Sequence, residues 1–324
     1  MQHQQHNMKA IYSLVQFIRL CTLVFAICFY CGIMTIGLIL LTPLKYFGFG
    51  DLVFKIYCMW AGRGYWTFIF VLEQLDQVEL VWYGDKIPKY ENSICISNHV
   101  ADTDFIVIQT FGMRKGMLGH TKFMMKEIIK YVPGVGWGCY LLNHIMMSRN
   151  WTRDKDSIAK VFGNIKSHKI PVWIISFLEG TRFTPQKLEA CKKFCEKKGI
   201  KPTECVLTPR VKGFKATVSN FADSHIQYVY DFTIAYEDGP VSIMDLMRKP
   251  FKGKRIHIHV RRIPIKDIPY DDDEKIEKWV YDCFYRKDEM LKEFQKTKSF
   301  GEVVHEPYNY EDFITEPLKR MSKL

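Results

Sequence analysis

Between Cys21 and Leu41 the sequence has no charged residue, and nowhere along its 324 residues does it carry an internal repeat or a low-complexity tract. The second absence excludes solenoid and disordered-linker architectures. The first points to a membrane. As a helix the uncharged run is about 31 Å long, close to the thickness of a bilayer core. A secretory leader has an apolar stretch of roughly 7–15 residues and a small-residue cleavage site. This run is longer and has no clear site, so it reads as a retained anchor. A buried core helix is the alternative, but apolar stretches of about 10–14 residues are the usual length for one. Gly32 and Gly37 leave room for a shallow or kinked insertion. The tail from Phe300 is polar, ends in basic residues and shows no second apolar span.

The ten cysteines are scattered. They read as reduced thiols of a cytosol-facing protein, not as a disulfide framework or a zinc site. Cys191 and Cys195, four apart among lysines, are expected on one exposed helix face. Acidic residues are in the minority, 35 against 46 basic, giving a net charge of +11. Such a surplus calls for an anionic partner: nucleic acid, an anionic membrane surface or a phosphorylated substrate. The basic residues are dispersed and the anchor holds the chain at a membrane, which argues against nucleic acid. A hydrophobic content of 48% is that of an ordered chain.

After the anchor, residues 51–75 are apolar but interrupted by Lys55 and Arg63, with Trp60, Tyr65 and Trp66 close by. Aromatic residues beside basic ones suit the headgroup layer, so this stretch reads as an interfacial or re-entrant helix. From about residue 78 short apolar runs alternate with amphipathic ones. "ELVWYG", "SICIS", "PVWIISF", "YVYDFTIAY" and "RIHIHVRRIP" read as strands, and "HIMM" as a shorter one. "DTDFIVIQTFG", with Asp102 or Thr103 as cap, residues 186–201, and "DDDEKIEKWVYDCF" with its acidic start read as helices, as does "DKDSIAKVFGNIKSH" beginning near Asp156 or Ser157. Alternation of this kind gives an α/β domain with a mixed sheet flanked by helices.

Charged groups gather where apolar strands end. His99 follows "SICIS", and Asp104 stands five positions later in the first turn of the next helix. That turn can bring the carboxylate back to the imidazole, fixing a proton on one ring nitrogen and leaving the other as a base. No serine or cysteine nucleophile accompanies the pair in sequence, so the arrangement suits activation of a substrate hydroxyl. "FLEGTRF" puts Glu179, Gly180, Thr181 and Arg182 after another strand; "MMSRNW" puts Arg149 after a third; "LTPRVKGF" puts Pro209, Arg210 and Lys212 after what reads as a fourth. Charges are costly to bury unless paired or met by a ligand. Two guanidinium groups suit a phosphate monoester. His257 and His259 share a strand face by alternation, with no carboxylate or cysteine set to complete a metal site, and read as a solvated face.

In this order and spacing the motifs resemble those of the glycerolipid acyltransferases, the 1-acylglycerol-3-phosphate acyltransferases and their relatives, over roughly residues 90–300. "NHVADTD" resembles the first motif, which implies His99 as base and Asp104 as its partner. "HIMMSRNW" resembles the second, which implies that Arg149 holds the acceptor's phosphate. "FLEGTRF" is similar to the third and gives Glu179, Gly180, Thr181 and Arg182 acceptor-binding roles. "LTPRVKGF" is similar to the fourth, which shapes the acyl-CoA side around Pro209 and Lys212. "HTKFMMKEIIKYVPGVGW" implies a structural or binding role for Lys122. Leu178 stands where many members have proline, and Asp102 is an extra carboxylate.

The resemblance implies an acyl-CoA-dependent enzyme that acylates the sn-2 hydroxyl of a lysophospholipid, lysophosphatidic acid first. Lysophosphatidylinositol and lysocardiolipin are the alternatives, and a non-catalytic binder of anionic lipid is a further one. It implies acyl-CoA as co-substrate with no cofactor and no metal. Its partners would be the two substrates and membrane lipids, with no nucleic acid. The expected location is the endoplasmic reticulum, with the catalytic part facing the cytosol, or else a mitochondrial membrane. The expected organisation is an anchor with interfacial helix over 1–75, a catalytic domain over 76–235, its carboxyl-terminal extension over 236–300 and a polar tail over 301–324.

Overall fold

The computed structural model of the chain describes residues 2–132, 135–148 and 151–306. Its strands are β1 (Glu79–Gly84), β2 (Ser93–Ser97), β3 (Thr121–Lys126), β4 (Ile145–Met147), β5 (Trp173–Phe177), β6 (Tyr228–Tyr236) and β7 (Arg255–Pro264). They form one sheet in the order β1-β7-β6-β2-β5-β3-β4. Every pair is parallel except β6 with β7. The helices are α1 (Gln2–Leu41), α2 (Gly50–Ile69), α3 (Asp104–Arg114), α4 (Gly136–Leu141), α5 (Trp151–Ser167), α6 (Pro185–Lys198), α7 (Val211–Phe221), α8 (Ile243–Arg248) and α9 (Asp273–Thr297). Parallel strands need crossover connections, and helices covering both faces explain why β2 is buried along its whole length. Alternation divides the core between the two faces. Trp173 and Ile175 pack with Phe111, Tyr230 and Phe232 on one side. Ile174 packs with Phe162, Phe214, Phe221 and Phe284 on the other.

The central strands set the site by register. Ser97 of β2 pairs with Phe177 of β5 and with Phe232 of β6, so these three parallel strands reach one level together. β2 and β5 stop there, whereas β6 continues four residues to Tyr236. In open α/β sheets the ligand crevice lies outside these carboxyl ends.

Among the described residues one helix, over Ala10–Phe47, is long and apolar enough to cross a membrane by length and composition. It does not stand clear of the domain. Arg19 of α1 donates to Asp76 Oδ1 (2.6 Å) and to the carbonyl of Leu246 in α8 (3.1 Å). Further along, Thr35 lies against Gly138 of α4, and Leu38 is buried with Val53, Tyr57, Ala61 and Leu142. Gly37 lets the Trp60 ring of α2 approach where any Cβ would collide with it. Helix α2 buries Val53, Tyr57, Cys58, Ala61, Gly62 and Ile69. The outer surface of α1 stays apolar and exposed at Phe25, Phe29, Ile36 and Leu40.

Several expectations need correction. Helix α5 begins at Trp151 rather than near Asp156, because Asp154 turns back to accept from the Ser148 amide and hydroxyl and fastens the chain earlier. Thr103 occupies the cap position of α3, but its hydroxyl donates to the Val241 carbonyl and lies beside the Tyr236 phenol instead of capping the helix amides. No strand precedes Pro209; a non-strand segment there leads into α7. Cys195 is buried and contacts the Thr208 hydroxyl, so the face it shares with Cys191 packs inward. Cys28 and Cys31 do carry CxxC spacing, inside α1, and both are free thiols. The Asp272 cap of α9 is as read: its side chain accepts from the Glu274 and Lys275 amides.

Candidate active site

His99 leaves β2 two residues after its last paired position, flanked by a lock. Asn98, fully buried, donates to the Ile234 carbonyl (2.9 Å) and accepts from the Ile234 amide (2.8 Å). This bidentate pair fixes the main chain immediately before the histidine. The chain then turns into α3 and returns Asp104 to the imidazole, with His99 Nδ1 2.9 Å from Asp104 Oδ2. The same carboxylate oxygen accepts from the Val100 amide (2.7 Å) and the Ala101 amide (3.0 Å). An oxygen already accepting from two amides is an acceptor toward the ring as well, so Nδ1 carries the proton and Nε2 has the lone pair. Asp104 is 0% exposed, whereas the His99 side chain retains 19%. The imidazole lies flat on Phe177, with centroids 4.1 Å apart and planes 18° apart.

Glu179 lies two residues beyond β5 and is buried. One carboxylate oxygen accepts from the His99 amide (2.8 Å), the other from the Leu207 amide (3.0 Å). It ties the β2 mouth to the segment that carries Pro209. Burial pushes its carboxyl up to about 8, against the opposing pull of the two amides. Its direct contacts are with this main chain.

Gly180 follows with φ +66, a conformation glycine adopts at no steric cost, and a Cβ there would sit 2.9 Å from Arg210 Nε. Arg210 therefore lies across the glycine. Its amide donates to the Leu178 carbonyl (2.8 Å). Arg182 is half exposed and pairs with Asp102 (2.8 Å), not with Glu179. Asp102 uses its other oxygen to accept from the Ile243 amide (2.9 Å). Lys187 Nζ donates to the Thr181 hydroxyl (2.7 Å) and to the Arg182 carbonyl (2.8 Å). Pro209 is buried; Arg210 and Lys212, at the start of α7, are exposed. Thus Arg182, Lys187 and Arg210 give this sheet edge a cationic rim beside the histidine.

Arg149 lies outside the described residues. Lys122, on β3, is buried and donates to the Leu142 carbonyl (2.5 Å), so its contacts run toward α4 and not to the strand mouths of β2 and β5. Burial pulls its pKa below the ordinary lysine value. His257 is buried, not solvated: its ring meets the Tyr83 hydroxyl (2.8 Å) and packs on Phe294. Among the described residues no group of three or more His, Cys, Asp or Glu side chains is placed to hold a metal.

Sequence reading missed Phe177, Lys187, Asn98 and Tyr236. Phe177 and Asn98 looked like ordinary strand-end residues. Lys187 was one lysine among several in its helix. The Tyr236 hydroxyl donates to Asp104 Oδ1 (2.6 Å) across 132 positions of sequence, which no local spacing announces.

A family model described as "Acyltransferase" matches residues 80–236, and one described as "Acyltransferase C-terminus" matches residues 246–320. A probable 1-acyl-sn-glycerol-3-phosphate acyltransferase 5 of Arabidopsis thaliana is 29% identical over 250 residues, covering 77% of this chain and 65% of the relative. The 1-acyl-sn-glycerol-3-phosphate acyltransferase delta of Mus musculus is 31% identical over 242 residues, covering 72% and 62%. The chain therefore spans a little under two thirds of the length of these relatives. The crystal structure of the 1-acyl-sn-glycerophosphate acyltransferase PlsC from Thermotoga maritima shares the fold, with a TM-score of 0.50 and 18% identity, covering 87% of this chain and 97% of that one.

Proposed function

The chain belongs to the PlsC-like glycerolipid acyltransferases, and from that premise we propose that it transfers a fatty acyl group from acyl-CoA to the sn-2 hydroxyl of lysophosphatidic acid, giving phosphatidic acid. The observation that carries the reading is the His99–Asp104 pair at 2.9 Å beside a cationic strand mouth. His99 Nε2 removes the hydroxyl proton as the oxygen attacks the thioester carbonyl. The carbon–sulfur bond breaks, and the departing thiolate takes the proton from the imidazolium. Asp104 stabilises that imidazolium. General base catalysis of this kind contributes about 10²–10⁴ in rate.

Arg182, Thr181 and Gly180 receive the acceptor's phosphate, with Arg149 as the second guanidinium, while Lys122 keeps a structural role between β3 and α4. A phosphate monoester displaces Asp102 from Arg182 by offering more charge and two oxygens to the planar guanidinium fork. Glu179 serves acceptor binding by holding the main chain of His99 and Leu207 in place. Pro209 and Lys212 line the acyl-CoA side. No cofactor is needed. The enzyme is an integral membrane protein through α1, of the endoplasmic reticulum or a mitochondrial membrane, with residues 76–300 facing the cytosol.

The test is a radiolabelled acyl-CoA assay on purified protein across a panel of lysophospholipids. Labelled phosphatidic acid from lysophosphatidic acid is expected. Faster acylation of lysophosphatidylinositol or lysocardiolipin would reassign the acceptor, and transfer to none of the panel would overturn an enzymatic reading.

A further inference from the structure

Resting on the reading of His99 as the base, we propose that Tyr236 is a positioning residue of the reaction, holding Asp104 at the angle and charge that His99 requires. Asp104 has two oxygens with different duties. Oδ2 faces the ring and the amides of Val100 and Ala101. Oδ1 points the other way and receives the Tyr236 hydroxyl at 2.6 Å. Both residues are buried, Asp104 at 0% exposure and Tyr236 at 8%, so water cannot replace the phenol freely. A carboxylate held at only one oxygen can swing about its Cβ–Cγ bond; held at both, it cannot.

The phenol is itself set in place by the fold. β6 overshoots β2 by four residues, and that overshoot carries Tyr236 to the start of α3. The hydroxyl of Thr103, 0% exposed, lies 2.9 Å from the phenol oxygen and donates to the Val241 carbonyl at 2.6 Å. Thr103 is the residue before Asp104, and Val241 lies in the turn that follows β6. The Thr103–Val241 bond clasps the segment after β6 to the start of α3, with the phenol packed against it. Around them the charged groups are Asp102 and Arg182, which pair with each other, and Glu179, which faces the main chain of His99 and Leu207. Tyr236 is thus the neutral donor on the far side of the carboxylate. Its bond does two things: it orients Oδ2 toward Nδ1, and it draws negative charge from the carboxylate, which moderates the basicity of the imidazole.

Tyr236→Phe separates this role from packing. In the radiolabelled transfer assay kcat should fall about tenfold to a hundredfold, the usual effect of losing a hydrogen bond to a charged group, with both KM values close to the parent's. The acidic limb of the kcat/KM profile should move to higher pH, because a carboxylate relieved of its donor favours the imidazolium more strongly. Combined with Asp104→Asn, the tyrosine substitution should add little further loss, since it acts through Asp104. A normal kcat with only a lowered melting temperature would overturn the proposal, as would full additivity with Asp104→Asn. Should Tyr236→Phe fail to fold, Thr103→Val keeps the side-chain shape, removes the neighbouring hydroxyl and should lower kcat severalfold with the same shift of the acidic limb. An unchanged kcat there would overturn the proposal too. An active His99→Ala protein sinks the general-base reading itself, whereas an inactive His99→Ala beside a fully active Tyr236→Phe removes Tyr236 alone.

Discussion

The imidazole of His99 is held on two sides at once: its face rests on Phe177, 4.1 Å between centroids, while its Nδ1 edge meets Asp104. A ring fixed by one stacking surface and one hydrogen bond has little rotational freedom left. His99→Ala is therefore expected to lower kcat by at least about a hundredfold, the lower end of what a general base supplies, in a protein that still folds and inserts. Asp104→Asn should lose most activity for a different reason, because a neutral amide cannot stabilise the imidazolium. Turnover at the parent rate by purified His99→Ala protein would dismiss the mechanism.

Arg182 distinguishes acceptor binding from structure. Arg182→Lys keeps the charge and loses the planar fork. The apparent KM for lysophosphatidic acid should rise about ten- to a hundredfold, more than that for acyl-CoA. Because Arg182 pairs with half-exposed Asp102, the melting temperature should scarcely move. An effect on stability alone, or on acyl-CoA alone, would take Arg182 out of the acceptor site.

Glu179 makes stability depend on pH. Burial pushes its carboxyl up to about 8, while in the unfolded chain a glutamate titrates near ~4.3. Between these values the folded state keeps a proton that the unfolded state has released. Stability is thus greatest below the lower value, falls as pH rises through the window and levels off above about 8. Melting curves in detergent from pH 5 to 9 should show this fall, and Glu179→Gln should flatten it. The same variant should melt several degrees lower at acidic pH, since an amide nitrogen cannot accept from both His99 and Leu207. A parallel slope in parent and variant would assign the pH dependence to another group.

Orientation follows from the donor substrate. With acyl-CoA as the proposed donor, drawn from the cytosolic side, residues 76–300 should be open to protease added outside sealed microsomes. Digestion that begins only after detergent is added would place them in the lumen.

Much of this was legible in order, and less in contact. The strands around "SICIS", "WIISF" and "YVYDFTIAY" were readable because parallel central strands are continuous apolar runs, and the Asp272 start of α9 because capping is local. His99 and Asp104 were readable because five positions and a helix turn suffice to join them. The partner of Arg182 was not: Asp102 lies 80 positions away and Glu179 only three, and strand direction, not proximity in sequence, decided between them. Tyr236 was hidden for the same reason. The solvated face expected of His257 failed because alternation tells which residues share a face but not what covers it; here α9 and Phe294 do.

Arg19 fastens α1 to Asp76 and Leu246, and Thr35 and Leu38 fasten it again beside α4 and α2. Those two attachments are roughly 24 Å apart along the helix axis. A rod tied at both ends to a bulky body cannot stand upright in a bilayer without pulling that body in after it. It can lie lengthwise in one leaflet, its outer row of Phe25, Phe29, Ile36 and Leu40 among the acyl chains. The proposed lysophospholipid acceptor would then reach the strand mouths by sliding sideways, its tail never leaving lipid, and avoid the cost of about 0.8 kcal/mol for each methylene exposed to water. Spin labels placed on the exposed positions Ile18 and Leu40 would report nearly equal depths for a helix lying flat. A steep difference between them would mean that the helix crosses.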